Sequence, residues 1–80
     1  MKIVMRDGRV FQGTPLQIVQ AMRAIAFTVP DYTIQQYVEW IVENAQRHED
    51  VALHAVGDTD EALATSLIQE MLRTGLTQRG

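Results

Sequence analysis

The stretch at residues 14–27 constrains the fold most, because a helix there is apolar on most of its circumference. Thr14 can accept a hydrogen bond from the first helical turn, and Pro15 suits the first helical position. The polar side chains that follow within the stretch are only Gln17, Gln20 and Arg23. A helix with so much apolar surface needs cover on more than one side. We therefore predict a central helix that the flanking elements enclose.

The pair Asp7-Gly8 lies between two short apolar runs and predicts a β-hairpin before this helix. Asp-Gly favours a two-residue type I′ turn, which would place Met5 opposite Val10. Successive residues of a strand point to opposite faces, so this register sorts the side chains into two sets. The predicted inner set is Ile3, Met5 and Val10, and the predicted outer set is Val4 and Phe11 with Lys2, Arg6 and Arg9.

A second helix is predicted to begin near Thr33, shortly after Pro30. Thr33 and Gln36 have capping-box spacing, and Asp31 offers a rival cap. The apolar stripe of this helix consists of Ile34, Val38, Ile41 and Ala45. Tyr37 lies at the margin of the stripe, whereas Trp40 lies about 120° from its centre. An aromatic pair in this position either anchors an interface or packs under a third helix.

Residues 51–56 have an apolar, moderately β-favouring composition and predict a third strand, with a short buried helical turn as the alternative. A third helix is predicted to begin within residues 58–61, where a cap and negative first-turn charges are favourable, and to end at Gly75. Residues 77–80 carry no pattern and are expected to fray. These elements predict a single α+β domain over residues 1–80 in the order ββααβα, with the N-terminal β-hairpin, two helices, a third strand and a C-terminal helix forming a small sheet packed on helices.

The absence of cysteine excludes disulfides and thiolate metal sites. One cluster could suggest a metal, namely His48, Glu49, Asp50 and His54. Its two histidines are six residues apart, however, rather than the four that place two ligands on one helical face. Ser66 is the single serine and lies mid-helix, so no Ser-His-Asp arrangement can be proposed. We expect no enzyme activity, no metal and no cofactor.

Charge is distributed unevenly along the chain. Residues 1–30 contain four basic residues and one acid, whereas residues 31–72 contain nine acids and one basic residue. This acidic middle disfavours general attraction to nucleic acid or anionic lipid. A local alternative is the hairpin, where Lys2, Arg6 and Arg9 beside Phe11 could contact a phosphate backbone and stack a base. The like charges of Arg6 and Arg9 could equally protect a hairpin edge from aggregation.

The number of apolar positions exceeds what a plausible core needs, and this excess predicts a partner. We expect a non-catalytic protein-interaction module that binds an unidentified protein or itself, as a homodimer. The candidate interface residues are Tyr37, Trp40, Val4 and Phe11. The alternative is an accessory nucleic-acid-binding protein that uses Lys2, Arg6 and Arg9. We expect no membrane association and a cytoplasmic location, because no apolar run reaches about 20 residues and the first residues lack a signal-peptide core.

Overall fold

Three strands and three helices make up residues 1–26 and 31–80, the part of the chain that the computed structural model describes. In chain order they are β1 (Lys2–Met5), β2 (Val10–Gln12), α1 (Pro15–Ala24), α2 (Ile34–His48), α3 (Asp60–Thr74) and β3 (Thr77–Arg79). The strands form an antiparallel sheet in the order β2-β1-β3. The predicted α+β class, the hairpin and the small sheet are confirmed. The third strand, however, follows the third helix instead of preceding it.

Both predicted threonine caps begin a helix. Thr14 Oγ1 accepts the N–H of Gln17 at 3.1 Å, and the Gln17 side chain accepts the N–H of Thr14 at 2.9 Å. Thr33 and Gln36 repeat this capping box with the same two distances, so Asp31 is not the cap. α1 ends at Ala24, earlier than predicted. The predicted helix end at Phe27 and the break at Pro30 lie outside the described residues.

α3 rather than α1 is the helix at the centre of the fold. It packs against α1, α2 and β3, and its Leu67 and Ile68 are almost completely buried. α1 buries only Ile18, Val19 and Met22. The prediction of a central α1 is wrong because its other apolar positions include Ala21 and Ala24, which are exposed. Isolated small apolar side chains on a surface need no cover.

The hairpin loop is one residue longer than predicted. The N–H of Met5 donates to the carbonyl of Arg9 at 2.8 Å, and the N–H of Gly8 donates to the carbonyl of Met5 at 3.0 Å. Arg6, Asp7 and Gly8 therefore form a three-residue loop. Gly8 has a φ of 91°, whereas Asp7 has a negative φ, which excludes a type I′ turn. The arrangement matches a type I turn followed by a left-handed glycine.

The longer loop shifts the strand register by one residue and exchanges side chains between the two faces of the hairpin. Ile3 lies opposite Phe11, and Val4 lies opposite Val10. Phe11 is half-buried on the core side with Met5, whereas Val10 is 52% exposed. The predicted inner set of Ile3, Met5 and Val10 is therefore wrong at Val10. The predicted outer set is wrong at Phe11 and at Arg9, because Arg9 lies opposite Met5 and lines a cavity together with Phe11.

β3 occupies the place in the sheet that was predicted for residues 51–56. Met5 lies opposite Thr77, and Val4 lies opposite Gln78. Thr77 is buried, and its hydroxyl donates to the carbonyl of Val4 at 2.7 Å. The expectation that residues 77–80 fray is wrong, because β1 supplies both a strand partner and a buried acceptor for this side chain.

Residues 52–57 run antiparallel to α3 in an extended conformation. The carbonyl of Ala52 accepts from Arg73 Nη2 at 3.4 Å, and Gly57 lies against the backbone at Leu63. The ten residue-to-residue steps of helix from Leu63 to Arg73 span about 15 Å. The five steps from Ala52 to Gly57 cover this distance at about 3 Å each, close to the rise of about 3.3 Å in a β-strand. The sequence correctly predicts an extended backbone for these residues. It wrongly predicts that they pair with the hairpin, because their hydrogen bonds are made to side chains of α3.

Candidate functional site

An apolar groove runs between the hairpin and α2. Its two parts have volumes of about 220 and 410 Å³, and they share Met5, Asp7, Met22 and Ile41. The further side chains of the smaller part are Arg9, Phe11, Ile25, Ala26, Tyr37 and Trp40. Those of the larger part are Arg6, Asn44, Ala45, His48, Glu49, Met71 and Leu76. We refer to these two connected parts as the hairpin–α2 groove.

Tyr37 and Trp40 stack on each other at the wall of this groove. Their ring centroids are 5.9 Å apart, and the ring planes differ by 24°. Tyr37 is only 3% exposed, and burial raises the pKa of its hydroxyl to about 12. α2 packs against both α1 and α3, so the margin of its apolar stripe is buried as well as the centre. Tyr37 is therefore a supporting residue beneath Trp40 rather than a free surface.

Trp40 is half-buried and lines the part of the groove that lies beside the hairpin and the end of α1. Phe11 and Ile25 line the same part, and no α3 residue does so among the described residues. The side chain of Asn44 donates to the carbonyl of Trp40 at 2.7 Å, one helical turn away. Trp40 thus faces the hairpin side of the molecule.

Three of the four residues predicted as a protein interface come together in the structure. Phe11, Tyr37 and Trp40 line the smaller part of the hairpin–α2 groove. Val4 does not join them, because it lies opposite Val10 on the other face of the sheet. The one-residue shift in register separates Val4 from Phe11, which the sequence had placed on one face.

Sequence reasoning missed the aliphatic part of the groove. Met5, Met22 and Ile41 lie in both of its parts, and each was predicted as a core residue only. Ile25 was predicted to face the core but is 49% exposed. A hydrophobic wheel does not distinguish a core position from a groove wall, since both are apolar. Unbranched methionine side chains at such a surface adapt to partners of different shape.

The three basic hairpin residues do not form a common patch. Arg6 Nη1 lies 3.1 Å from Glu49 Oε2, and Arg9 Nε lies 3.3 Å from Asp7 Oδ2. Lys2 is at the other end of β1, about 13 Å from Arg6 at the rise of a β-strand. Two of the three cations therefore have a carboxylate partner, and the third is remote from both.

The cluster of histidines and acids is also dispersed. His48 is the final residue of α2, Glu49 pairs with Arg6, and His54 lies on the extended segment. Within residues 1–26 and 31–80, no three His, Cys, Asp or Glu side chains are grouped so that they could hold a metal ion. No helix in those same ranges is long and apolar enough to cross a membrane.

The groove offers an apolar surface with an aromatic wall and paired charges at its rim. Met5, Met22 and Ile41 line both of its parts, whereas the aromatic side chains of Phe11, Tyr37 and Trp40 line the smaller part only. No protein-family model, curated protein or solved structure matches the chain.

Proposed function

We propose that the protein is a non-catalytic interaction module of the cytoplasm that binds a partner protein, or a second copy of itself, in the hairpin–α2 groove. The observation that carries the proposal is the convergence of Phe11, Ile25 and Trp40 from three separate elements on one apolar groove. Large aromatic side chains at the centre of an apolar site are typical binding anchors.

The surroundings of Trp40 support this role. The Asp7–Arg9 pair lies at the rim, which gives the apolar centre a polar border like that of a protein interface. Stacking on the buried ring of Tyr37 restricts the indole, so less conformational freedom is lost when a partner binds. Ile25 adds an exposed aliphatic side chain beside it.

The proposal can be tested with two matched substitutions. Ile25 and Val10 are 49% and 52% exposed, but only Ile25 lines the groove. We expect Ile25→Gln to abolish partner capture in affinity purification from the native cells, or to lower self-association in sedimentation over a concentration series. Val10→Gln should change neither. If folded Ile25→Gln captures the same partners and sediments as the wild type does, the groove is not the binding site.

Trp40→Ala should weaken association by about 2 kcal/mol or more, the usual effect of removing an aromatic anchor. Because Trp40 is only half-buried, the cost to folding should be below the 3–5 kcal/mol that is typical of a fully buried ring. Isothermal calorimetry with the captured partner and urea unfolding of the same samples separate the two effects. A folded Trp40→Ala variant with unchanged affinity would contradict the anchor role.

Nucleic-acid binding through the hairpin is the less supported alternative, because Arg6 and Arg9 already pair with carboxylates. If it occurs, replacing Lys2, Arg6 and Arg9 together with Gln should abolish it. The wild-type salt slope should not exceed about −3, since each charge contributes about one counterion. Fluorescence anisotropy with single- and double-stranded oligonucleotides at low salt measures both quantities. Absence of wild-type binding under those conditions would remove the alternative.

A further inference from the structure

Strand β2 has one side of its backbone unpaired. In an antiparallel pair, the residues that exchange hydrogen bonds with the neighbouring strand alternate along the chain. The N–H of Gly13 donates to the carbonyl of Met1 at 2.9 Å. Phe11, two residues earlier, faces β1 in the same way. The backbone groups of Val10 and Gln12 therefore point away from β1.

These outward backbone groups are accessible. β2 is an end strand, because β1 lies between it and β3. Val10 is 52% exposed, and Gln12 is exposed as well. Within residues 1–26 and 31–80, no residue forms a hydrogen bond with the N–H or carbonyl of either one. The edge of β2 can therefore pair with a further strand.

The other edge of the sheet, at β3, is protected. The N–H of Gly80 donates to the carbonyl of Lys2, so the same alternation gives the outward backbone groups to Thr77 and Arg79. Thr77 is only 2% exposed, and Arg79 places a charge at the edge. Charged side chains commonly protect edge strands from pairing. β2 consists of Val-Phe-Gln and has neither a charge nor a proline.

The helix beside β2 also lacks exposed charges. α1 packs against β2, whereas α3 packs against β3, so α1 lies on the β2 side of the helices. The exposed residues of α1 are Gln17, Gln20, Ala21 and Ala24. α2 and α3, in contrast, expose charged residues such as Glu39 and Glu61. Depletion of charged residues is typical of interface cores. We refer to the edge of β2 and the exposed face of α1 together as the β2–α1 flank.

A second copy of the chain fits this flank in one register. With a two-fold axis beside Phe11, Val10 of each copy lies opposite Gln12 of the other. This register pairs all the outward groups, because each such pair exchanges both of its hydrogen bonds. With a shift of two residues one way, Gln12 would lie opposite Gly8, whose N–H already donates to a carbonyl. With a shift the other way, Val10 would lie opposite Thr14, whose N–H is also used.

The side chains suit the same register. Phe11 would lie opposite Phe11 of the second copy, in the closely spaced type of pair that brings side chains nearest. Phe11 is half-buried, so the second ring would cover surface that one copy leaves exposed. Arg9 would lie opposite the uncharged Gly13. No like charges are therefore opposed across the axis.

We propose that the β2–α1 flank is a homodimer interface, in which two copies join their β2 strands antiparallel into one continuous sheet. The exposed faces of the two α1 helices approach each other beneath the joined strands. A strand of three residues and one helix face form a smaller contact than the roughly 800 Å² per partner of a standard interface. The dimer is therefore weak and dissociates on dilution. The proposal does not depend on a partner in the hairpin–α2 groove.

The first test compares dilute and concentrated wild-type protein by sedimentation and by NMR hydrogen exchange on the same samples. We expect a monomer–dimer equilibrium in sedimentation. As the dimer becomes populated, the amides of Val10 and Gln12 should exchange more slowly, because strand pairing protects them. The amide of Arg79, which points outward from β3, is the internal control and should exchange at the same rate throughout.

Two charge variants test the register, because the side chains of Val10 and Gln12 are exposed. Val10→Lys combined with Gln12→Lys opposes lysines across the axis and should weaken self-association about tenfold or more. Val10→Glu combined with Gln12→Glu should do the same. A mixture of the two variants should recover the dimer at low salt, since each lysine then faces a glutamate.

The matched control is Gln46→Lys combined with Gln69→Lys, which adds the same charge at exposed positions of α2 and α3. It should associate as the wild type does. Val10→Gln keeps the backbone N–H without adding charge and should also associate normally. Ile25→Gln should leave this dimer intact, which separates the proposal from binding in the hairpin–α2 groove.

Several outcomes would overturn the proposal. One is a wild type that stays monomeric throughout the concentration series, and another is a mixture of the lysine and glutamate variants that does not associate. Self-association that is lost in Ile25→Gln but kept in the lysine variant would place the second copy in the hairpin–α2 groove instead. Protection of Arg79 rather than Val10 and Gln12 would place it at β3. If a charge variant does not fold, the wild-type exchange measurement decides.

Discussion

Segment 52–57 and strand β3 are both extended, yet the one with the stronger strand composition stays outside the sheet. The segment is rich in apolar residues, whereas β3 consists of Thr-Gln-Arg. β3 follows α3 directly and reaches the second edge of β1. The segment instead lies along α3. Position after the preceding helix, rather than composition, thus decides which extended stretch completes the sheet.

The two stretches also satisfy their backbones by different means. β3 uses strand pairing with β1 and the buried hydroxyl of Thr77. The segment uses Ser66, Glu70 and Arg73, which lie on one face of α3 because they are spaced four and three residues apart. A helix face with polar side chains at this spacing can replace a neighbouring strand on one side of an extended chain.

Gly57→Ala should lower the stability of the folded protein more than the other substitutions below. It tests how closely segment 52–57 approaches α3. A Cβ at Gly57 would lie 2.5 Å from the backbone nitrogen of Leu63 and 2.7 Å from the carbonyl carbon of Ala62. Helix backbone cannot move aside as a flexible side chain can. We expect a loss of about 1–3 kcal/mol in the free energy of unfolding, measured with urea.

The matched control for Gly57→Ala is Val56→Ala, since Val56 is 72% exposed and directly precedes it. This control should lie within about 0.5 kcal/mol of the wild type. A Gly57→Ala protein as stable as the control would show that the segment is not seated against α3. The contrast with β3 would then disappear.

Thr77→Val should have a smaller effect, because it removes one hydrogen bond of β3 and leaves the strand pairing. The hydroxyl that donates to the carbonyl of Val4 is replaced by a methyl of similar size. We expect a loss of about 1 kcal/mol in urea unfolding. Gln78→Val, at the neighbouring exposed position, should cost little. If both variants retain wild-type stability, strand pairing alone holds β3.

The sequence predicts best where the physical cause is local. The Thr14 and Thr33 caps depend on contacts three residues apart, and both are found as predicted. The hairpin also has its turn at Asp7-Gly8, but the dipeptide does not determine the loop length. A left-handed glycine suits both the two-residue and the three-residue loop. That one-residue ambiguity was enough to exchange Val10 and Phe11 between the faces.

The candidate site could be predicted only in part, because it is assembled from distant elements. Tyr37 and Trp40 lie one turn apart on α2, so the helical wheel alone brings them together. Phe11 reaches them only in the observed strand register. The predicted register places Val4 opposite Phe11 and so assigns both to one surface. The observed register separates them. The location of β3 likewise depends on where α3 ends. Residues 77–80 carry no local sequence pattern that predicts this location.

Glu70→Gln should have the smallest effect on stability. It is also the most specific test of how α3 holds segment 52–57. Hydrogen bonds from the Arg73 side chain and from the N–H of His54 lower the pKa of Glu70 from 4.5 to about 2. Because the folded-state pKa is the lower one, the carboxylate stabilises the folded protein above about pH 4.5. This stabilisation is lost as the pH falls from there to about 2. The difference in urea midpoint between wild type and Glu70→Gln should shrink over that interval.

Arg73→Gln is the matched variant, since the Arg73 hydrogen bond is the largest cause of the lowered pKa. It should remove most of the same pH dependence, whereas Glu70→Gln in an Arg73→Gln background should add little to it. The glutamine at position 70 keeps an oxygen that can accept from His54, so the comparison isolates the charge. Parallel curves for wild type and Glu70→Gln between pH 5 and 2 would contradict this account. The segment would then be held by Ser66 and by packing of Leu53. Its backbone would have fewer hydrogen bonds than that of β3, and it would resemble a paired strand less.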